Sequence, residues 1–288
     1  MTSRLPDASS PPVTRDADSG GLWVVATPIG NLGDFAPRAA ETLRSVDLVL
    51  AEDTRHSRPL LLQFGIETPM QALHDHNEAT QAAKLVERML AGASMALISD
   101  AGTPLISDPG FRLVQAARAA GVPVRPVPGP SALVAALSVA GIASDRFCFE
   151  GFLPSKAGAR REAIARLAAE PRTLVFYESA HRVVESLADL RDGLGGARKM
   201  VLARELTKRF ETVLDGTIGE VRERVMADAD QQRGEFVLVV EGVQDLAAAQ
   251  LAEGRRLYEK LAGHLPPSQA ARLAAELSGA PRKALYGG

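Results

Sequence analysis

Short apolar runs alternating with helical patterns constrain the fold of this chain more than any other feature. Residues 22–27 (LWVVAT), 47–51 (DLVLA) and 95–99 (MALIS) are apolar at nearly every position, which marks strands buried on both faces. Weaker strands are expected at 70–73 and 124–127. Helical spacing falls between them, at 37–45, 79–90, 111–120 and 131–139. Strands and helices alternating at this interval call for a mostly parallel sheet covered on both sides. The second half changes texture. Strands predicted at 147–152, 173–177, 200–204, 210–215 and 235–241, with helices at 159–168, 182–190 and 218–226, read as a mixed α+β domain. From residue 246 onward the chain is Ala-rich and helical, divided by Pro266 and Pro267.

The 288 residues suffice for two domains at ~150 residues each. The expected fold class is therefore two α/β domains, a mostly parallel N-terminal sheet and a mixed C-terminal one, plus a short helical appendage. A Ser-, Pro- and Asp-rich disordered leader is expected at 1–20, the first domain at 21–143, the second at 144–244 and the appendage at 245–288. Lys+Arg 33 against Asp+Glu 35 leaves a net charge of −2, so any nucleic-acid contact must come from a local basic face. Residues 152–210 carry twelve Lys/Arg against seven Asp/Glu and are the candidate. The single cysteine, Cys148, excludes an internal disulfide and a Cys-based zinc site. With only five histidines, no metal is expected. The most apolar stretch, 131–143, is shorter than the ~20 residues of a membrane span. The leader also lacks the apolar segment of a signal peptide, so a soluble, cytoplasmic protein is expected.

In an open parallel sheet, ligands bind beyond the carboxyl ends of the strands. The first such loop, TPIGNLGD (27–34), has two glycines but neither GxGxxG nor a following GK[ST], so it is no Walker-type phosphate cradle. The loop after MALIS, SDAGTPLISDPG (99–110), is richer. It sets backbone N–H groups, carboxylates and hydroxyls beside the apolar pair Leu105-Ile106, which suits a ligand with an amine, a ribose and a flat purine. An elaborate turn with an Asp N-cap is the alternative. VPGPSA (127–132) is stiffened by Pro128 and Pro130, with Ser131 placed to cap the next helix. Polar clusters follow other strands: EDTRHSRP (52–59), HDHNE (74–78), FYESAHR (176–182) and ARELTKRFE (203–211).

Taken in order, ATPIGNLGD, LAEDTR, HNE, ISDAGTPLISDPG, VPGPSA, GFLPSK, FYESAHR, ARELTK and GEFVLVVEG resemble the ribosomal RNA small subunit methyltransferase I branch of the tetrapyrrole methylase superfamily. The resemblance covers roughly residues 22–242. It implies two α/β domains with S-adenosylmethionine between them, a homodimer, and 2′-O-methylation of a cytidine in the decoding region of 16S rRNA. Matched residue by residue, Pro28 and Ile29 flank the cofactor, and Asp100, Ala101, Gly102, Thr103 and Ile106 take its methionine or ribose end. Ser131 and Ala132 meet the adenosine, and Tyr177, Glu178 and Leu206 form an opposing wall. FYESAHR departs from the family at Ala180, where proline is more usual.

A ribose hydroxyl is a poor nucleophile, so a general base is expected to help. Glu52, Asp53, Glu178, Glu205 and Lys208 are available, and Lys208, Glu205 and Asp53 are the candidates taken forward. Lys208 qualifies only if burial or a neighbouring cation depresses its pKa. Arg55, Lys156, Arg160, Arg161 and Arg204 are expected to hold RNA phosphates, since an arginine stays protonated. The competing readings are methylation of a small planar acceptor such as a tetrapyrrole, or of a protein side chain, and a non-catalytic RNA-binding module on a methylase fold.

Overall fold

A computed structural model describes residues 20–285; the leader expected at 1–20 otherwise lies outside the described residues. The chain divides into two compact units, 1–130 and 131–288.

In the first unit, β1 (Gly21–Val25), β2 (Leu48–Ala51), β3 (Met70–Ala72), β4 (Ser94–Ile98) and β5 (Val124–Val127) alternate with four helices. These are α1 (Pro37–Ser45), α2 (Thr54–Gln63), α3 (Asp75–Leu90) and α4 (Phe111–Ala119). The strands form one wholly parallel sheet in the order β3-β2-β4-β1-β5. Period-two alternation splits each strand between two cores. Leu48 and Leu50 pack with Leu85, Met89 and Leu113 on one face. Val49 and Ala51 pack with Leu43 and Leu61 on the other. Helix α2 was not expected, because EDTRHSRP is polar and carries Pro59. It forms because Asp53 caps it, accepting from the Arg55 N–H at 2.8 Å.

The second unit begins with α5 (Ala132–Val139), followed by β6 (Phe147–Phe152), α6 (Ala157–Arg166), β7 (Thr173–Ser179) and α7 (Val183–Leu194). It continues through β8 (Lys199–Arg204), β9 (Thr212–Thr217), α8 (Ile218–Ala227) and β10 (Glu235–Val240). The sheet runs β6-β7-β10-β8-β9, with β6 and β7 parallel and the other pairs antiparallel. Leu174, Phe176, Leu202 and Leu238 pack with Ile164, Leu187 and Val221 of α6, α7 and α8. Helix α5 packs beside β10 and buries Leu133 and Ala136. The division by packing therefore falls after Pro130, ahead of the boundary after residue 143 that the sequence suggests.

The appendage is three helices, α9 (Leu246–Ala262), α10 (Pro267–Ser278) and α11 (Arg282–Leu285). They enclose a small core of Ala274, Ala280 and Leu285.

Candidate functional site

Sheet order places β4 beside β1, while the chain leaves β1 towards β2 and leaves β4 towards β5. This is the reversal point at which open parallel sheets bind ligands. The loops after these strands are joined directly: Thr27 N–H donates to the Gly102 carbonyl at 2.8 Å, and Gly102 N–H returns to the Thr27 carbonyl at 3.1 Å. The buried Thr27 hydroxyl adds a bond to the Ser99 carbonyl at 3.2 Å. Thr103 ties the same loop to the Pro130 carbonyl at 2.9 Å. Pro28, Ile29, Asp100, Ala101, Gly102, Thr103 and Ile106 thus share one patch.

Residues 99–110 are strained. Besides Gly102 (φ 82°) and Gly110 (φ 123°), Leu105 (φ 71°) and Ser107 (φ 69°) are left-handed. Each non-glycine in this region costs ~1–3 kcal/mol and persists only where its surroundings over-determine it. At the far end, a Cβ on Gly110 would stand 2.6 Å from Leu97 Cδ2. There the buried Glu78 carboxylate of α3 accepts from the Leu113 N–H at 2.9 Å. It caps α4 in place of Gly110, which has no side chain to offer. Beside it in HDHNE, Asn77 accepts from the His74 N–H at 2.9 Å and donates to the Ala72 carbonyl at 3.1 Å. The HNE motif is a brace for the loop.

The rim of this patch is acidic. Burial pushes the Asp108 carboxyl up to about 6, against a hydrogen bond from Ser99 and with the charges of Glu52 and Asp100 adding to the rise. Burial and Asp100 also raise Glu52. Asp100 accepts from the Asp53 N–H at 3.2 Å. A carboxyl raised in the fold favours the folded state below the ordinary carboxylate range. That contribution is lost as pH rises through about 6.

Asp53, expected as a base, is corrected: hydrogen bonds from Arg55 hold it at about 2, far too acidic to take a proton near neutrality. Arg55 itself is exposed and paired to Asp53 at 2.9 Å.

In the second unit, Ser131 stands at the N-cap of α5 without a side-chain capping bond, and Ala132 begins the helix. The helix is capped instead by Tyr177, whose hydroxyl accepts from the Leu133 N–H at 3.1 Å. Glu178, expected to face the cofactor, is corrected. It is buried and fully engaged, accepting from Ser179 N–H and the Ser186 hydroxyl and pairing with Arg182 at 2.8 Å. Leu206 is buried between the left-handed Glu205 (φ 51°) and Thr207 (φ 67°).

Lys208 and Glu205 are also corrected as bases. Lys208 Nζ sits 2.9 Å from Glu205 Oε1 and 2.8 Å from Glu235 Oε2. Burial pulls the ammonium down, but hydrogen bonds to Glu235 and Glu205 outweigh it and the net shift is upward. Burial likewise pushes Glu205 up, and hydrogen bonds from Lys208 and the Glu235 N–H, with the charges of Lys208 and Arg204, more than reverse that. The pair is a lock on the strained turn.

Two of the expected phosphate clamps are corrected by burial. Arg160 is 2% exposed and binds Asp189 at 2.6 Å and Glu185 at 3.2 Å. Arg204 is buried and donates to the Arg233 and Phe210 carbonyls at 2.7 and 2.9 Å. Lys156 and Arg161 are exposed. Sequence reasoning missed Glu78 and Asp108 as site residues, although both lie inside motifs it had singled out.

Residues 21–222 match the family described as Tetrapyrrole (Corrin/Porphyrin) Methylases, and 248–287 match the RsmI C-terminal HTH domain. A Ribosomal RNA small subunit methyltransferase I from Xylella fastidiosa is 62% identical over 93% of this chain and 98% of its own length. That of Pseudomonas aeruginosa is 54% identical over 93% of this chain and 96% of its own. Among solved structures, uroporphyrin-III C-methyl transferase from Thermus thermophilus, complexed with S-adenyl homocysteine, shares the fold at 19% identity. Its TM-score is 0.54, over 80% of this chain and 99% of that one.

Proposed function

Because the chain belongs to the ribosomal RNA small subunit methyltransferase I family of tetrapyrrole methylases, we propose that it methylates the ribose 2′-hydroxyl of a cytidine in the decoding region of 16S rRNA. The broader activity, S-adenosylmethionine-dependent methylation of small-subunit rRNA, comes with the family. The observation that carries the reading is the strained loop 99–110, clamped to Thr27 with Gly102 at its centre. Gly102, buried with both backbone groups on Thr27, lets Ile29 pack directly against the loop, Ile29 and Ile106 supply apolar walls, and Asp100 and Asp108 supply negative charge. Those features fit a cationic adenosyl ligand. When bound, S-adenosylmethionine supplies a methyl group on a positively charged sulfur.

The chain's own contribution is orientation and charge. Rigid loops hold a ligand in one geometry, and near-attack alignment is worth ~7–11 kcal/mol of a two-reactant barrier. With Lys208, Glu205 and Asp53 set aside, Asp108, raised by burial to about 6, and Glu52, raised by burial and Asp100, are the remaining candidates to accept the ribose proton. Exposed Lys156 and Arg161, with Arg272, Arg282 and Lys283 of the appendage, support contact with phosphates.

Two expected results follow from the charges. S-adenosylmethionine affinity, measured by calorimetry, rises as pH passes upward through about 6, because Asp108 becomes negative and attracts a cation. Asp108→Asn flattens that rise; an undiminished rise in the variant rejects the assignment. Lys208→Met keeps the wild-type pH profile of single-turnover methylation at saturating RNA, since an ammonium locked between carboxylates does not take the ribose proton. A profile that loses a limb would restore Lys208 as the base.

The position of the methyl group is tested by mass mapping of 16S rRNA from a strain lacking the gene, with and without the restored chain. The expected difference is one cytidine methylated on its ribose. A base-methylated nucleotide in its place would rule out the 2′-hydroxyl.

A further inference from the structure

Strand β6 lies at one edge of the second sheet and, among the described strands, pairs with β7 alone. Its register runs Phe147↔Thr173, Cys148↔Leu174 and Phe149↔Val175, then skips to Gly151↔Phe176 and Phe152↔Tyr177. Glu150 is therefore the extra residue of a bulge, and Gly151 takes the left-handed φ of 63° that the bend requires. The parity matters. Unbroken alternation from Cys148, which packs against the helix-covered core, would send Phe152 into that same core. The bulge turns Phe152 to the opposite face, beside Phe149 and Tyr177.

There it is held but not covered. Phe149 and Phe152 meet the Tyr177 ring in T-shaped contacts at 4.8 and 5.7 Å, yet Phe152 remains 52% exposed. Leu153, next in the chain, is buried, and its carbonyl accepts from Arg182 at 2.9 Å, so the segment is anchored directly behind the ring. Lys156 follows, exposed, whereas Arg161, one turn into α6, stands 3.9 Å from Asp189. A bulge and a left-handed glycine are used to present an aromatic ring to solvent, with exposed Lys156 four residues further along the chain.

The geometry points to Phe152, steadied by Tyr177, as a stacking platform for one unpaired nucleobase of the RNA substrate, with Lys156 on a flanking phosphate. The inference rests on the RNA-methyltransferase reading and adds to it that the substrate is engaged as a single strand. Aromatic rings stack on any base face, whereas paired bases in a helix present none. The exposed Lys156 that follows the ring in the chain favours a polyanion over an apolar protein partner.

The test uses the full chain and an unstructured RNA of roughly 12 nucleotides, free and annealed to its complement, with Kd measured at several salt concentrations. Wild type binds the single strand more tightly than the duplex. Phe152→Ala weakens single-strand binding about 5- to 150-fold and leaves the salt slope unchanged. Lys156→Ala lowers the slope by about 0.7. Phe152→Trp restores affinity, and the fluorescence of the introduced indole is quenched when RNA is added.

Wild-type affinity for Phe152→Ala, or fluorescence of Phe152→Trp that RNA leaves unquenched, overturns the platform even where RNA binding itself is normal. A wild-type chain that binds neither RNA overturns the RNA reading instead. Loss of self-association in Phe152→Ala, with RNA affinity kept, would show the patch to be a contact between two copies and also overturns the platform.

Discussion

Gly102→Val is expected to raise the Kd for S-adenosylmethionine by at least about 100-fold, roughly 2.7 kcal/mol, while the chain still folds. Gly102 sits at φ 82°, and a Cβ there would stand 3.2 Å from Ile29 Cγ2 and 3.7 Å from the Pro130 carbonyl. Valine therefore brings left-handed strain of ~1–2 kcal/mol and pushes Ile29, a wall of the proposed cofactor site, out of place. Both Gly102 hydrogen bonds to Thr27 are main-chain bonds, so substitution does not delete them. Calorimetry with the methyl donor and a thermal melt separate the two effects. An unchanged Kd in a folded variant would place the cofactor elsewhere.

The second large effect is on stability. Arg160→Leu removes a guanidinium that is 2% exposed from Asp189, which is itself only 12% exposed. Breaking one side of a buried ion pair costs ~3–5 kcal/mol, because the remaining charge is left without its partner. At ~2–4 °C per kcal/mol, the midpoint should fall by on the order of 10 °C. Arg160→Leu combined with Asp189→Leu should recover much of the loss, since no buried charge is then stranded. RNA affinity at a temperature where the variant is folded should match wild type, with the same salt slope. A stable variant with weakened RNA binding would return Arg160 to the phosphate-binding set.

Arg160 also illustrates what sequence conveys and what it hides. Apolar runs such as DLVLA and MALIS identified the parallel sheet, because a strand buried on both faces has no polar positions to obscure it. The loop after β4 was legible from its mixture of glycines, hydroxyls and carboxylates around an apolar pair. What the twelve cations of residues 152–210 do was not legible. A charge count records no partners, and Arg160, Arg204 and Lys208 all proved to be engaged by carboxylates or carbonyls from distant segments. The same distance effect concealed Glu78, whose partner Leu113 is 35 residues away. Strain was equally hidden: neither Leu105 nor Thr207 advertises a left-handed backbone, since both residue types normally avoid it. Helix α2 was obscured by Pro59, and its capping aspartate was read as chemistry.

Transfer of labelled methyl from S-adenosylmethionine distinguishes an RNA acceptor from every other one. The chain is incubated with small ribosomal subunits from a strain lacking it, and label is followed into RNA, ribosomal protein and small-molecule fractions. Label is expected in 16S rRNA alone, confined to one nucleotide and lost in Gly102→Val. Label in protein or in a tetrapyrrole added to the same mixture, with none in the RNA, would contradict the assignment of RNA as acceptor.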